Sequence, residues 1–268
     1  MKNYKIIDAH CHIYPQKIAL KAVHATDLFY EMPHASPYDG TTDTLLAVQK
    51  ESGIARFIVQ SVATTPHQVH SINTFVAAEV AAHPDTFTGL GTLHPDSEHI
   101  EEDVEEIISL GLHGVKLHPD IQKFAVDDKK CLPIYECCRG RLPILMHTGD
   151  KRYDFSNPNR LLRVLHAFPD LTIVGAHLGG WSIWEEASMT LTDIDNLYVD
   201  TSSTIGFIGF EKARECIRRF PPEKLLFGTD YPMWRPQDEV TALLDMDFTD
   251  DEYEKIFHAN AEKVFSIR

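Results

Sequence analysis

The sequence contains no apolar run approaching the roughly 20 residues that a membrane-spanning helix requires, and its first residues lack the apolar core of a signal peptide. Basic residues are in deficit: 25 lysines and arginines stand against 40 acidic residues, a formal charge of −15. That balance argues against nucleic acid or an anionic membrane surface as the main partner. Cysteine is scarce and unpatterned, with five residues, two of them adjacent (Cys137 and Cys138), and no CxxC pair. This argues against a disulfide-stapled or zinc-knuckle fold and favours a reducing, cytoplasmic setting. Also missing is the glycine-rich turn that opens a doubly wound nucleotide-binding sheet, because "HCHIYP" stands there instead. With no linker or low-complexity stretch, residues 1–268 read as one domain.

What is present is alternation. Short β-branched or apolar runs at 4–12, 55–62, 86–93, 114–118, 142–147, 171–177, 196–201 and 224–230 are separated by segments of helical periodicity. One of these, "DSEHIEEDVEEIISLG", sets Ile100, Val104, Ile107 and Ile108 on one face, with Ser97 as N-cap and Gly111 as the stop. The last opens with Thr249-Asp250-Asp251-Glu252, a capping box. Eight strands alternating with helices in a chain of this length predict a (β/α)8 TIM barrel. Two segments, 13–43 and 148–158, follow strands without clear periodicity and are expected as irregular loops over the barrel mouth.

The chemistry collects at strand ends. Alternate residues of a strand share a face, so Asp8, His10 and His12 are expected to point together, and Ile7, Ala9 and Cys11 oppositely. Cys11 then cannot join the two histidines on one ion, and a histidine pincer remains. His147 ends the fifth predicted strand, His177 the sixth and Asp230 the eighth, while Lys116 and His118 share a face of the fourth. A polar residue closing an apolar strand is costly to bury unless paired or ligated, and in a barrel those ends meet at one mouth. His10, His12, His147, His177 and Asp230 are therefore expected to converge on a metal site. Any one of these histidines alone is more often a hydrogen-bonded structural residue; the set carries the expectation.

Other residues have two readings. His94 and His118 precede prolines at strand ends and are candidates to line the pocket. Trp181 and Trp184 either wall it or pack in the core. Lys151, Arg152 and Arg160 either meet substrate carboxylates or are simply solvated. His24, His34, His67, His70 and His83 are expected on loops or helix surfaces.

The motifs "IDAHCHIYP", "GVKLHP", "ILMHTGD", "VGAHLGG", "LLFGTDYP" and "HANAEKVF" together resemble, over essentially the whole chain, the amidohydrolase superfamily of metal-dependent barrels. Their flavour is that of its amidohydrolase-2 branch, which includes aminocarboxymuconate-semialdehyde decarboxylase and a range of hydrolases. The resemblance implies a single divalent ion, zinc, on His10, His12, His147 and Asp230. It further implies that His177 is the catalytic histidine and that Asp230 also accepts a proton. The implied activity is first that of a metal-dependent hydrolase, in which hydroxide generated at the ion attacks a small-molecule ester, lactone or amide carbonyl. A nonoxidative decarboxylase or hydratase, a lyase of the same branch, is the alternative, and a catalytically silent ligand-binding barrel is the third reading. In binuclear members of the superfamily a lysine at the fourth strand carries CO2 as a carbamate. That version would set a carboxylated Lys116 between two ions, with His147 and His177 on the second. Otherwise Lys116 meets an anionic substrate group or pairs with Asp8 or Asp200. Asp200, in "YVDTSS", matches the family as a supporting residue. The expected partner is a small molecule, with carboxylates among the candidates; a homo-oligomer stays open.

Overall fold

The apolar runs become the staves of a closed parallel barrel, the expected TIM barrel. In the computed structural model, which describes residues 4–32 and 36–267, β1 (Ile7–His12), β2 (Arg56–Gln60) and β3 (Phe87–Gly89) pair in that order. β4 (Gly91–Thr92), β5 (Val115–Leu117), β6 (Ile144–Met146), β7 (Ile173–Gly175), β8 (Leu197–Asp200) and β9 (Leu225–Leu226) follow in sequence. β3 and β4 are halves of one stave interrupted at Leu90, whose N–H reaches the Val59 carbonyl at 2.9 Å, so the barrel has the eight staves expected. It closes where the chain beyond β9 meets β1. Ala9 N–H bonds Phe227 O at 2.8 Å, Asp230 N–H bonds His10 O at 2.9 Å, and His12 N–H bonds Tyr231 O at 2.7 Å. Ile58, Leu145, Val174 and Leu226 fill the barrel from staves around the ring, and Ala261 and Phe265 from the chain's last turns pack against them. His34 lies outside the described residues.

Strand parity fails at one place. The register of β1 against β2 slips between Asp8 and Cys11, where three steps on β1 oppose two on β2, from Phe57 to Val59. Such a bulge re-aims side chains. Cys11 faces the larger core under the helices, as expected, but Ile7 and Ala9 join the inner cluster. Asp8 does not point with the histidines. It accepts hydrogen bonds from Thr229 Oγ1 at 2.6 Å and Thr229 N at 3.0 Å, beside the Cys11 thiol.

The segment 13–43 is not irregular throughout. It holds α1 (Ala19–Phe29) and the start of α2 (Thr42–Ser52). The buried stripe of α1 is Ala19, Val23 and Asp27, while Leu20 and Leu28 are exposed, so its apolar pattern does not follow its packing. α3 (Val69–Ala82) follows β2, and α4 (Ile100–Ser109) follows β4. In α4, Ile100, Val104 and Ile107 are buried, whereas Ile108 is 37% exposed. The N-cap is His99, and Ser97 sits two residues earlier, accepting the His99 N–H at 3.2 Å and donating to Asp103 at 2.7 Å. Ser97 therefore orders the turn before the helix and does not cap it. Gly111 takes a positive φ of 70°, and the Thr249/Glu252 capping box forms as read. No helix among the described residues is long and apolar enough to cross a membrane.

Candidate metal centre

The closing seam of the barrel builds a triangle of donors. His10 Nε2 and His12 Nε2 lie 3.2 Å apart, and Asp230 Oδ1 stands 3.4 Å from the first and 3.5 Å from the second. The seam hydrogen bonds hold the backbone of all three. A tetrahedral ion about 2.0–2.1 Å from each donor needs donor separations of about 3.3 Å. Two imidazole nitrogens and a carboxylate oxygen at these distances fit a first-row divalent ion. The two histidines are held unequally. His10 Nδ1 is 2.9 Å from Asp200 Oδ2 and 3.1 Å from Ser202 Oγ, whereas His12 Nδ1 is buried without a partner. The carboxylate beside His10 orients the ring and raises its basicity as a ligand. Asp230 Oδ2 is anchored by the Ser203 hydroxyl at 2.6 Å, which Trp234 Nε1 supports at 2.8 Å. Asp230 takes a φ of +59°, a region costly for a residue with a Cβ. Gly228 leaves the room these groups need, since a Cβ there would lie 3.1 Å from His10 Cβ and 3.3 Å from Ser202 Cβ.

His147 and His177 form a second group, which adjoins the first: the His177 ring stacks on His10, centres 5.2 Å apart, and close-set donors also join His10, His177 and Asp200. His177 Nε2 is 3.1 Å from His147 Nδ1, and His177 Nδ1 is 2.9 Å from Ser202 Oγ. His177 N–H donates to Asp200 Oδ1 at 3.0 Å, so Asp200 touches both halves of the site. His147 stacks on His118, ring centres 3.9 Å apart, and shares with it the hydroxyl of Tyr30, at 3.3 Å from His147 Nδ1 and 2.8 Å from His118 Nε2. Among the described residues, close-set metal donors group His147 with His118 and Asp120, not with the His10/His12/Asp230 triangle. The expected four-residue set is thus brought into one cavity without being brought onto one point. His147 Nε2 is buried with no hydrogen-bond partner, 3.6 Å from Asp120 Oδ2.

Burial sets the charges. It drives His12 and His147 well below the usual histidine range, helped by Lys116 and, for His147, by His118, so both rings present a free lone pair. Burial also lowers His177, to about 4. Burial acts to raise Asp230, but His10, His177, His12 and the Ser203 hydroxyl outweigh it and bring the carboxyl to about 2. The same opposition, won by His10, His177 and Ser202, holds Asp200 ionised far below its ordinary value. Lys116, wholly buried, is lowered to about 8 by desolvation against the pull of Asp200 and Asp230. Its Nζ lies 3.0 Å from His10 Nε2, so it faces the site and does not pair with Asp8.

These groups form the floor of a cavity of about 440 Å³, and Lys116 is the only lysine or arginine among the described residues that lines it. The loop cations are committed elsewhere. Arg152 grips Asp150 at 2.7 Å with its guanidinium over Phe29 and Trp181, Arg160 pairs with Asp127 and Asp154, and Lys151 is exposed off the cavity. His118 lines the cavity and His94 does not, binding the Asp96 N–H instead. Trp181 stands behind the wall, 4.7 Å from the Tyr30 ring, with Trp184 behind it. His24, His67, His70 and His83 sit on helices or their ends, away from the cavity. Tyr30, Asp120 and Ser202 were not foreseen as site residues. Only the serine had a signal, its place two residues after Asp200 at a strand end.

Residues 7–267 match the family model described as amidohydrolase. No protein of curated function matches the chain. Among solved structures, an uncharacterised TIM-barrel protein from Bordetella bronchiseptica is 25% identical, with 98% of each chain covered and a TM-score of 0.80. 5-Carboxyvanillate decarboxylase from Novosphingobium aromaticivorans, solved with bound manganese, is 18% identical over 98% of this chain and 97% of that one, with a TM-score of 0.76. 2,6-Dihydroxybenzoate decarboxylase from Rhizobium is 18% identical over 98% and 99%, with a TM-score of 0.74. At such identities the last two likenesses speak for the fold. The family match spans all but the two ends of the sequence, and on that extent the chain belongs to the amidohydrolase family.

Proposed function

We propose that this protein is a metal-dependent lyase that removes CO2 from a small conjugated or aromatic carboxylic acid. One observation carries the proposal: a single buried cation, Lys116, stands against the donor triangle at the floor of a cavity with largely apolar walls. Such a cavity takes one anionic group at the ion and strips water from it. A carboxylate without its hydration is raised in energy relative to the neutral CO2 that leaves. The decarboxylases among the solved neighbours support the same reading, which was the alternative at the level of sequence. A metal centre would serve hydrolysis equally well, but the apolar walls give the hydrolase reading no observation of its own.

His10, His12 and Asp230 would hold the ion, while His147, whose ring groups with His118 and Asp120, stays outside that set. When bound, the ion supplies Lewis acidity toward a substrate oxygen. Two imidazoles with a carboxylate suit zinc, while a solved neighbour carries manganese. Lys116, as the unmodified ammonium, pairs with the substrate anion. The C–C bond to the carboxylate breaks with its electron pair left on the substrate carbon, CO2 departs, and a proton taken from water and relayed through His177, itself uncharged at rest, replaces it. Ser202 and Asp200 fix the His177 ring and backbone for that delivery.

The test is release of CO2 by the metal-loaded protein from a panel of hydroxybenzoates and conjugated acids, with metal analysis and mass spectrometry of Lys116 in parallel. CO2 evolved with one equivalent of metal and an unmodified lysine supports the proposal. Turnover of lactones or amides without CO2 from any acid overturns it in favour of the hydrolase.

A further inference from the structure

Two helices outside the barrel give the cavity more length than its floor needs. α1 turns one stripe toward it, from Ile18 just before the helix through Ala22, Ala25 and Thr26 to Phe29. α3 turns another, from Gln68 through Ser71 and Ile72 to Phe75. The spacings of three and four are those of a single helix face. The floor residues His10, Lys116, His147 and His177 are buried, whereas these wall residues are half-buried or exposed, so they form the outer part of the cavity.

Most polar groups of this outer part are already occupied, the amide nitrogen of Gln68 excepted. Thr26 Oγ1 donates to the Ala22 carbonyl at 3.1 Å, and Ser71 Oγ to the Gln68 carbonyl at 3.0 Å. Gln68 Oε1 accepts from the Thr64 N–H at 2.8 Å, the Thr64 hydroxyl at 2.9 Å and the Thr65 N–H at 3.1 Å. Val62 and Ile121 add apolar surface, and among the described residues no charged side chain lines the cavity away from the floor. A ligand carrying a second charge would meet no opposite charge there, while an apolar group would remove that surface from water.

We propose that this outer compartment binds an apolar substituent, alkyl or aryl, on a substrate with one anionic group, and that Ala22 and Ala25 are the residues that keep it open. The inference rests on the carboxylate reading above and adds the shape and charge of the rest of the substrate. Neither alanine touches the donor triangle, and both lie on a helix face where a larger side chain projects into the cavity and not into the core.

The experiment is calorimetric titration of the metal-loaded protein with benzoate, with para-alkyl benzoates from methyl to butyl, and with terephthalate, which carries a second carboxylate. Affinity is expected to rise about 3- to 4-fold per methylene that enters the compartment, and terephthalate is expected to bind no better than benzoate. In Ala22→Phe the dependence on chain length disappears, while metal content and benzoate affinity stay as they were; Ala25→Phe, more exposed, repeats the test if the first variant folds poorly. A flat series with benzoate bound overturns the compartment alone, as does terephthalate binding as tightly as the butyl compound, or a slope that survives both substitutions. Absence of benzoate binding at full metal occupancy overturns the carboxylate reading itself.

Discussion

The two halves of the site are built by different means. On one side, His10, His12 and Asp230 stand on the seam that closes the barrel, and main-chain hydrogen bonds between β1 and the chain beyond β9 hold their spacing. On the other, His147 and His177 end neighbouring staves, and their rings are steered by side chains brought from afar: Tyr30 from the end of α1, Ser202 from beyond β8, His118 by stacking. The seam half has metal geometry before any ion arrives, because backbone pairing fixes the main chain and Asp200, Ser202 and Ser203 hold the His10 and Asp230 side chains. The other half is held by hydroxyls and stacked rings, which permits a ring to turn or carry a proton. A rigid ligand set beside a softer proton-handling set is what a reaction of fixed metal and moving proton requires.

Several substitutions would break or sharpen this contrast. The largest effect is expected from His12→Ala or Asp230→Asn. Metal affinity should fall by more than the 10- to 100-fold typical of supporting partners, read as metal retained after dialysis; retention would place the ion in the other half. His177→Ala should keep the metal and lose about 10²–10⁴-fold in turnover, the usual share of a positioned acid or base. Loss of metal in that variant would merge the two halves into one ligand set.

Behind the seam, burial raises Glu239 to about 8, with Asp8 and Asp238 adding to the effect. Its folded value lies above its ordinary 4.5, so its stabilising contribution is complete below about pH 4.5 and lost as pH rises through 8. Glu239→Gln should remove that loss, a gain of roughly 2–4 kcal/mol at pH 8.5 over the native protein and little at pH 4.5, measured by urea unfolding. Equal slopes in both proteins would mean that Glu239 finds a partner or water. Asp200→Asn should weaken metal binding by about 10- to 100-fold while circular dichroism is unchanged, since it supports His10. The smallest effect is expected from Tyr30→Phe: less than about tenfold in turnover, in line with one hydrogen bond, with metal content intact. A Tyr30→Phe variant that lost metal would show the softer half to be part of the ligand set.

The same contrast decided what could be read from sequence. His10, His12, His147, His177 and Asp230 were legible because each is a polar residue closing an apolar run, and barrel topology carries such ends to one mouth. Asp8 was misplaced because a one-residue bulge leaves no mark in a composition of alternating types. α1 was hidden because its buried stripe includes an aspartate, Asp27, bonded to Ser36, while two leucines face outward. Tyr30 reaches His118 across 88 residues and His147 across 117, distances over which no local pattern reports. Nor could sequence tell that Arg152 and Arg160 already have carboxylate partners, a matter of side-chain geometry alone.

The position of the seam also makes the ion a clasp. Thr229 and Asp8, which meet beside the triangle, are 221 residues apart in the chain, so a metal held by His10, His12 and Asp230 ties the two ends of the fold together. An ion at 100 times its dissociation constant would add about 2.7 kcal/mol to the folded state, and that energy acts across the joint where the two ends of the chain meet. The amide hydrogens of Ala9, His12 and Asp230 are the donors across this joint. Their exchange with solvent is thus a gauge of metal occupancy that needs no substrate: slow in the loaded protein and fast after chelation, ahead of amides on the far side of the barrel.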